Sequence, residues 1–333
     1  MALRVREAAA PPFHAQAMRV IQDRHLILDV DCGVDDALAL MLALSLHSTV
    51  EAVTCVAGNT TLSNVYSNVR RVLRVCGMAG IPVYRGCERP VTEPLDLATE
   101  YHGHDGLGGV ALDYPVGPEG ETSPHASQVL VQMAREAPGK FTLLLLGPHT
   151  NAALALLLDP QFGKNLRDIF IMGGNVEGRG NVLPGSEFNF KTDPEAVHVV
   201  LTRAECPITI VPWEAAVKSP IPWHVYQTMT KQDTVKGRFF AAITRHNLRY
   251  YEKVESDGYE VGDALAVVAA LAPDAVVHEY ERRVAVELSG LHTRGQLVQA
   301  WTEDMLPEVH SKVRIAARFD KELISELLIR MLI

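Results

Sequence analysis

Cysteine is scarce in this sequence, and no two cysteines stand at the close spacing of a metal-binding or redox motif. The cysteines are odd in number and scattered, which excludes a framework in which every cysteine is paired in a disulfide. A reduced, cytoplasmic compartment is therefore expected. The five residues are Cys32, Cys55, Cys76, Cys87 and Cys206.

The sequence also lacks an excess of positively charged residues and has no long apolar run. The formal net charge is −9 and the sequence pI is about 5.8, which argues against nucleic acid or an anionic membrane as the main partner. No segment reaches the apolar length of a membrane span. The chain does have 47% hydrophobic residues among its 333, enough for a large core.

Residues 1–24 differ in composition from the rest of the chain. They are rich in alanine and arginine and contain Pro11-Pro12, but they hold no serine and include Glu7 and Asp23. Acidic residues and the lack of serine argue against an organelle-targeting sequence. We expect a disordered extension over 1–24 and one folded domain over 25–333.

Short apolar runs alternate with helix-length amphipathic segments along most of the chain. This alternation predicts a single α/β domain with a mostly parallel, Rossmann-like central sheet flanked by helices. Regions 85–122, 173–192 and 212–223, rich in Gly, Pro or Asn, are predicted to be long active-site loops at the carboxyl ends of strands. The predicted strands are 26–30, 50–56, 141–146, 169–172, 208–211 and further strands within 276–288, and the predicted helices are 34–46, 61–79, 124–137, 149–158, 193–203, 234–272 with a break at 256–258, and 321–333.

Four carboxylates fall within the eight residues 29–36, directly after the first predicted strand: Asp29, Asp31, Asp35 and Asp36. Alternation along a strand directs the first two to the same side, and the other two fall in the first turn of the next helix. One aspartate at a helix start is commonly a cap, but four carboxylates this close repel one another unless a cation compensates. They are expected at the carboxyl end of a strand, where open α/β sheets bind ligands. Because carboxylate oxygens are hard donors, calcium or magnesium is the expected cation.

The pattern Asp-x-Asp-x-Gly-x-Asp-Asp-Ala over 29–37 resembles the N-terminal signature of the nucleoside hydrolases, the inosine–uridine-preferring family of N-ribohydrolases. Blocks that resemble the same family follow in order, so that the resemblance covers roughly 25–333. It implies a calcium-dependent hydrolase of small-molecule nucleosides that releases base and ribose, acts in nucleoside salvage or purine nucleoside catabolism, and forms a homodimer or homotetramer. The blocks are 56–60 (VAGNT), 102–108 (HGHDGLG), 146–151 (LGPHTN), 172–174 (MGG), 187–189 (EFN), 193–196 (DPEA) and 262–265 (GDAL).

The resemblance also implies roles for individual residues. Asp31 matches the carboxylate that binds calcium and takes a proton from the attacking water. Asp36, Asp263 and the backbone carbonyl of Leu146 match the other calcium ligands. The residues that match those holding the ribose hydroxyls and the 5′ end, with an aromatic side chain near the sugar, are Asp35, Asn59, Asn181, Glu187, Asn189 and Phe188.

These residue types suit the chemistry. Cleavage of an N-glycosidic bond passes through a ribosyl cation with oxocarbenium character. A calcium ion can lower the pKa of a water and chelate two ribose hydroxyls, and nearby carboxylates favour the positive charge that develops on the ring.

One position departs from the family pattern. Members that prefer inosine and uridine have a histidine directly before the last calcium-binding aspartate, where it helps to protonate the departing base, and purine-specific members have a tryptophan there. This chain has Gly262. His246 and Tyr251 are candidates to supply the proton, and His102 and His104 lie in a glycine-rich loop with access to a ligand. Without a proton donor, a nitrophenyl riboside is expected to be cleaved far better than uridine.

Two other functions are compatible with parts of the pattern. A Mg²⁺-dependent phosphohydrolase also has clustered aspartates after its first strand, but no basic phosphate cradle lies near Asp31, and Arg179 is the only cation in 173–190. A non-catalytic nucleoside- or ribose-binding protein would retain the same metal and ribose residues, and Gly262 is the reason to consider it. Release of ribose from a panel of nucleosides separates the three.

Overall fold

The computed structural model describes residues 21–46, 48–116 and 123–333. The chain already contacts the folded domain a few residues before position 25, the predicted start of the domain. Ile21 packs against the main core, and the Gln22 N–H donates to the Leu271 carbonyl at 2.7 Å. Residues 1–20, most of the predicted extension, lie outside the described residues.

One large sheet runs through the described residues, in the strand order β10-β9-β11-β6-β5-β4-β1-β2-β3. From β11 to β3 every pairing is parallel, whereas β9 pairs antiparallel with both β11 and β10. A small antiparallel pair, β7 and β8, lies apart from it. The strands are β1 (His25–Val30), β2 (Thr49–Cys55), β3 (Val83–Arg85), β4 (Phe141–Leu145), β5 (Asp168–Met172), β6 (Ile208–Val211), β7 (Ile221–Pro222), β8 (Gly258–Tyr259), β9 (Val276–Val286), β10 (Leu297–Gln299) and β11 (Lys312–Phe319).

Helices connect the parallel strands and cover both faces of the sheet. Several begin at side-chain caps: the Asp193 carboxylate, for example, accepts the Ala196 N–H at 3.1 Å, and Pro194 occupies the first helical position. Within the described residues, no helix has the length and apolar character needed to cross a membrane. The helices are α1 (Val34–Ser45), α2 (Leu62–Val75), α3 (Thr99–His102), α4 (Ala126–Glu136), α5 (Thr150–Leu158), α6 (Phe162–Asn165), α7 (Phe188–Thr192), α8 (Pro194–Arg203), α9 (Trp213–Lys218), α10 (Trp223–Thr230), α11 (Val235–Thr244), α12 (Leu248–Val254), α13 (Gly262–Leu271) and α14 (Lys321–Met331).

The central strands are buried on both faces. Along β4, Leu144 packs into the hydrophobic cluster on one face of the sheet, while Leu143 and Leu145 pack into the cluster on the other face. This is the alternation expected of a pleated strand covered on both sides. Helix α13 is buried along its whole length and packs against α1 and β5.

The predicted single α/β domain with a mostly parallel sheet is confirmed. The sequence analysis missed strands β3, β7, β8 and β10 and helices α3, α6, α7 and α10. The sequence analysis did not predict β11, because Lys312 and Arg314 alternate with buried Val313 and Ile315 and hide the apolar pattern. The region 212–223 was predicted to be a loop but holds α9, since a proline is tolerated directly before a helix.

The chain order reverses at the centre of the sheet. Strand β1 has β2 on one side and β4 on the other, so the connections leave β1 and β4 in opposite directions. Such a switch point opens a crevice at the carboxyl ends of the two strands, where ligands bind in open α/β sheets. Residues 31–33 and 146–148 follow the two strands and border this crevice.

Truncation of a side chain in the doubly covered strand β4 should destabilise the whole domain. We expect Leu144→Ala to lower the free energy of unfolding by about 2–5 kcal/mol, because Leu144 is fully buried and the cavity cannot be refilled. Leu158→Ala is the matched control, since Leu158 is 56% exposed, and it should change stability by about 0.5 kcal/mol or less. Denaturant unfolding of both variants measures the difference. Equal losses of stability in the two variants would contradict the burial of Leu144.

Candidate active site

A cavity lies at the switch point and brings together side chains from distant parts of the chain. Its walls come from the segments that follow β1, β2, β4 and β5, from the loop before α7 and from the start of α13. Asp31 and Asp36 are fully buried, and each is hydrogen-bonded to Asn59, which lines the cavity. The residues predicted from the sequence that line it are Asp35, Asn59, Leu146, Asn181, Glu187, Phe188, Asn189 and Asp263.

Three carboxylates converge from the first turns of α1 and α13. Side-chain oxygens of Asp35, Asp36 and Asp263 lie within 4.8 Å of one another, although Asp35 and Asp263 are 228 positions apart in the sequence. Burial, and then the charge of Asp35, raises the pKa of Asp36 to about 7. Burial, and then the charges of Asp35 and Asp36, raises the pKa of Asp263. Carboxylates in this arrangement repel one another unless protons or a cation compensate.

One deeply buried oxygen of this cluster has no hydrogen-bond donor among the described residues. Asp36 Oδ2 accepts the Gly33 N–H at 2.9 Å and the Asn59 side-chain amide at 3.2 Å, whereas Asp36 Oδ1 is buried and receives no donor from the described residues. A buried acceptor without a partner is costly. No lysine or arginine is found among the described residues that line the cavity. The donor set is therefore suited to a hard divalent cation.

The Asp31 carboxylate lies beside that of Asp36, and the same Asn59 side-chain amide donates to both. Asp31 Oδ2 accepts the Asn59 N–H at 2.7 Å and its Oδ1 accepts the Asn59 side-chain amide at 3.1 Å. Two glycines make room for it: a Cβ atom on Gly58 would lie 2.1 Å from Asp31 Oδ2, and one on Gly147 would lie 2.9 Å from its Cγ. Burial, and then the charge of Asp36, raises the pKa of Asp31. The family resemblance implies that Asp35 binds ribose and that Asp36 and Asp263 bind the metal. In the structure, side-chain oxygens of all three lie within 4.8 Å of one another.

Asp29 does not belong to this acidic cluster. Its Oδ1 accepts the Thr54 hydroxyl at 2.5 Å and the Asn151 side-chain amide at 2.8 Å, and burial raises its pKa to about 7. The prediction that all four acids meet was wrong for this residue. Strand β1 ends at Val30, so the alternation used to relate Asp29 to Asp31 no longer applies at position 31.

The loop before α7 positions a second acidic group. The Glu187 carboxylate caps α7 by accepting the N–H groups of Gly174, Asn189 and Phe190 at 2.8, 2.8 and 3.1 Å. Burial raises the pKa of Glu187 to about 7. The Asn189 side-chain amide donates to the Leu146 carbonyl at 2.8 Å, and that oxygen keeps a second lone pair. Asn181, by contrast, is exposed at the edge of the cavity.

The loop histidines occupy different environments. His102 lines the cavity, where its Nδ1 accepts the Val34 N–H at 3.1 Å and lies 3.8 Å from Asp35 Oδ1. Burial lowers the pKa of His102, so its imidazole is neutral near pH 7. His104 is exposed. His246 is directed elsewhere, with its Nε2 at 3.0 Å from the Glu100 carbonyl.

The end of the cavity next to Gly262 has aromatic walls that the sequence analysis only partly foresaw. The ring of Tyr251 is buried and its hydroxyl is hydrogen-bonded to that of Tyr101. Neither Tyr251 nor His246 is among the described residues that line the cavity. At position 262 a Cβ atom would lie 2.7 Å from Met172 Cε, so the methionine side chain occupies the space beside the glycine. The lining residues to which the sequence analysis gave no role in metal or ribose binding include Tyr101, Met172, Trp213, Tyr250, Glu260 and Gly262.

The chain is similar in sequence and fold to known nucleoside hydrolases. Residues 26–326 match the family model described as inosine-uridine preferring nucleoside hydrolase. The chain is similar to an inosine-uridine preferring nucleoside hydrolase of Leishmania major, with 33% identity over 90% of this chain and 94% of the relative. Among solved structures, a plant nucleoside hydrolase (PpNRh1) superposes with a TM-score of 0.86 at 28% identity, covering 93% of this chain and 99% of that one. An inosine-guanosine nucleoside hydrolase superposes with a TM-score of 0.83 at 30% identity, covering 93% and 98%.

The close approach of Gly58 to Asp31 yields a prediction. Gly58→Ala should displace the Asp31 carboxylate, because the new methyl group would overlap its Oδ2. We expect kcat/KM for ribose release from inosine to fall by about 100-fold, the cost of a displacement of roughly 1 Å in a catalytic group. Gly80→Ala is the control, since a Cβ atom there meets no atom within 4 Å. Equal activity in the two variants would show that the position of Asp31 does not matter.

Proposed function

We infer the reaction from both the family and the site: the chain belongs to the inosine-uridine preferring nucleoside hydrolase family. It is a hydrolase that acts on the glycosyl bond of ribonucleosides. We propose that the reaction depends on calcium and that Asp31 activates the attacking water. The observation that carries this proposal is the convergence of the carboxylates of Asp35, Asp36 and Asp263, one of which has a buried oxygen, Asp36 Oδ1, with no donor among the described residues.

The residues proposed to hold the ion are Asp31, Asp36, Asp263 and the Leu146 carbonyl, and the spacing of the carboxylates adds Asp35. All are oxygen donors, as calcium requires. When bound, calcium would supply positive charge that offsets the carboxylates, lowers the pKa of a water and orients ribose hydroxyls.

The roles proposed for the protein side chains follow from how each is held. Asn59 fixes both oxygens of Asp31, which takes a proton from the attacking water. The water oxygen bonds to C1′ of the ribose as the C–N bond breaks, and the bonding electron pair leaves with the base. The Glu187 carboxylate, held by three backbone N–H groups, stabilises the positive charge that develops on the ribosyl ring. Ribose is bound by Asp35, Asn59, Asn181, Glu187, Phe188 and Asn189.

The two alternatives predict different outcomes of one assay. A phosphohydrolase needs cationic groups for its phosphate, and the described cavity lining has no lysine or arginine. A binding protein without catalytic activity would bind nucleosides but release no ribose. Incubation with inosine, uridine and a phosphomonoester, followed by assays for ribose and for phosphate, distinguishes the three.

Further proposals concern the cellular setting. We propose that the protein acts in nucleoside salvage or purine nucleoside catabolism, in the cytoplasm, as a homodimer or homotetramer. The proposed cytoplasmic location is supported by the five cysteines, because none of them forms a disulfide in the structure. Fractionation tests the location, and light scattering at several concentrations tests the oligomeric state.

Removal of divalent cations should abolish activity. We expect a chelator to stop ribose release and added Ca²⁺ to restore it. Ca²⁺ at about 100 times its Kd should also stabilise the folded protein by about 2.7 kcal/mol, measurable as a higher Tm. Asp263→Asn should lose most of this stabilisation, whereas Asp304→Asn, at an exposed position, should keep it. Full activity after exhaustive chelation would refute the dependence on calcium.

The Asp31→Asn substitution tests the proposed base. The amide keeps the size of the side chain but cannot take a proton, so kcat should fall by roughly two to four orders of magnitude. Binding of ribose, measured calorimetrically, should change much less. Asp23→Asn, at an exposed position, serves as the control. Near-normal turnover in Asp31→Asn would remove this residue from the catalytic role.

A further inference from the structure

The proposed reaction leaves one proton unassigned. The departing base carries the electron pair of the broken bond, and protonation of the base makes it a better leaving group. The carboxylates and amides assigned to ribose account for only some of the residues that line the cavity. The lining residues without such a role, which remain available to contact the base, include Tyr101, Trp213, Tyr250, Glu260 and Gly262. At Gly262 there is no side chain to donate a proton.

Glu260 is a carboxyl-bearing residue of the cavity lining that has no assigned role in metal or ribose binding. It lies between β8 and α13, two residues before Gly262. Its carboxyl group makes no hydrogen bond or ion pair with residues 21–46, 48–116 or 123–333. No positively charged side chain among these residues therefore pairs with the Glu260 carboxylate to stabilise its ionised form.

The surroundings of Glu260 are aromatic. Tyr101, Tyr250, Tyr251 and Tyr259 are all close enough for the charge of Glu260 to raise the pKa of their hydroxyls. Tyr101 and Tyr250 pack edge to face with ring centroids 5.2 Å apart. These tyrosines stay neutral near pH 7, so the carboxyl group faces neutral rings rather than compensating charge. Such an environment favours a protonated carboxylic acid, as in enzymes that use a glutamic acid as a proton donor.

We propose that Glu260 is the general acid that protonates the departing base, in place of a side chain at position 262. The proposal rests on the nucleoside hydrolysis proposed above and assigns the part of it that Asp31 does not perform. As the C–N bond breaks, the proton of the Glu260 carboxyl group moves to a ring nitrogen or carbonyl oxygen of the base. The products are ribose and the neutral base, with Asp31 protonated and Glu260 ionised. Transfer of the Asp31 proton to solvent and uptake of one by Glu260 restore the enzyme.

Burial supports this assignment. It raises the pKa of Glu260 to about 7, so that a large fraction of the enzyme carries the proton at neutral pH. Because the proton must be present, the rate on a nucleoside should fall as the pH rises through about 7. Glu260 is three residues from Asp263 and is not among the main charges that act on it.

The other donors at the cavity are less suitable. His102 presents Nδ1 as an acceptor to the Val34 N–H, and burial lowers the pKa of its imidazole. Burial raises the pKa values of Tyr101 and Tyr250, which makes both hydroxyls poor acids. Glu260 is thus the lining residue whose proton is both present and acidic enough to be transferred.

The experiment compares two leaving groups in the wild type and in Glu260→Gln. Inosine needs a proton on its base, whereas nitrophenyl riboside releases a phenolate that does not. For Glu260→Gln we expect kcat/KM for inosine to fall by about two to three orders of magnitude and that for nitrophenyl riboside to stay almost unchanged. Glu252→Gln, at an exposed position on α12, is the matched control and should behave as wild type on both substrates.

The pH profile of the wild type is a second test that needs no variant. For inosine, kcat/KM should decline above pH 7, and for nitrophenyl riboside this decline should be absent. Equal losses on both substrates in Glu260→Gln, no loss on inosine, or the same alkaline decline with both substrates would each overturn the assignment to Glu260. If the wild type releases ribose from neither substrate, the proposed hydrolysis itself fails, which is a distinct result.

Discussion

Repulsion between buried carboxylates is the constraint on which the active-site end of the molecule depends. Helices α1 and α13 pack together, and their first turns place Asp36 and Asp263 where water is largely excluded. Like charges interact more strongly there than in water. The Gly33 N–H, the Asn59 amide and the positive ends of the two helix dipoles offset part of the cost. The oxygen left without a partner, Asp36 Oδ1, is the atom on which the proposed calcium site rests.

Much of the fold could be predicted from the sequence, because the central strands are buried on both faces and read as continuous apolar runs. The site was harder to predict. Blocks that resemble a family pointed to Asp263 and Glu187, which no local pattern would have linked to Asp31. Strand alternation, in contrast, wrongly placed Asp29 in the cluster, because the pattern does not show that the Thr54 hydroxyl and the Asn151 amide hold that carboxylate. Partners of this kind depend on tertiary contacts across more than twenty residues, which spacing along one strand does not record.

The residues of the cavity differ in how strongly the fold determines them. Two of the groups assigned to catalysis and ribose are firmly fixed: Glu187 by three backbone N–H groups, and Asp31 by Asn59 and the close approach of Gly58. Substitution there disturbs a helix cap or a close contact as well as the chemistry. Tyr250 and Glu260, in contrast, line the cavity with few hydrogen bonds, so these side chains can change without loss of the fold.

The contact between Gly262 and Met172 shows how a proton donor could change position while the fold is retained. Met172 ends strand β5, and its thioether occupies the space that a side chain at position 262 would need. A bulky residue at 262 and the observed rotamer of Met172 therefore exclude each other, although methionine is flexible enough to yield. A proton donor for the base must therefore come from another residue that lines the cavity, such as Glu260.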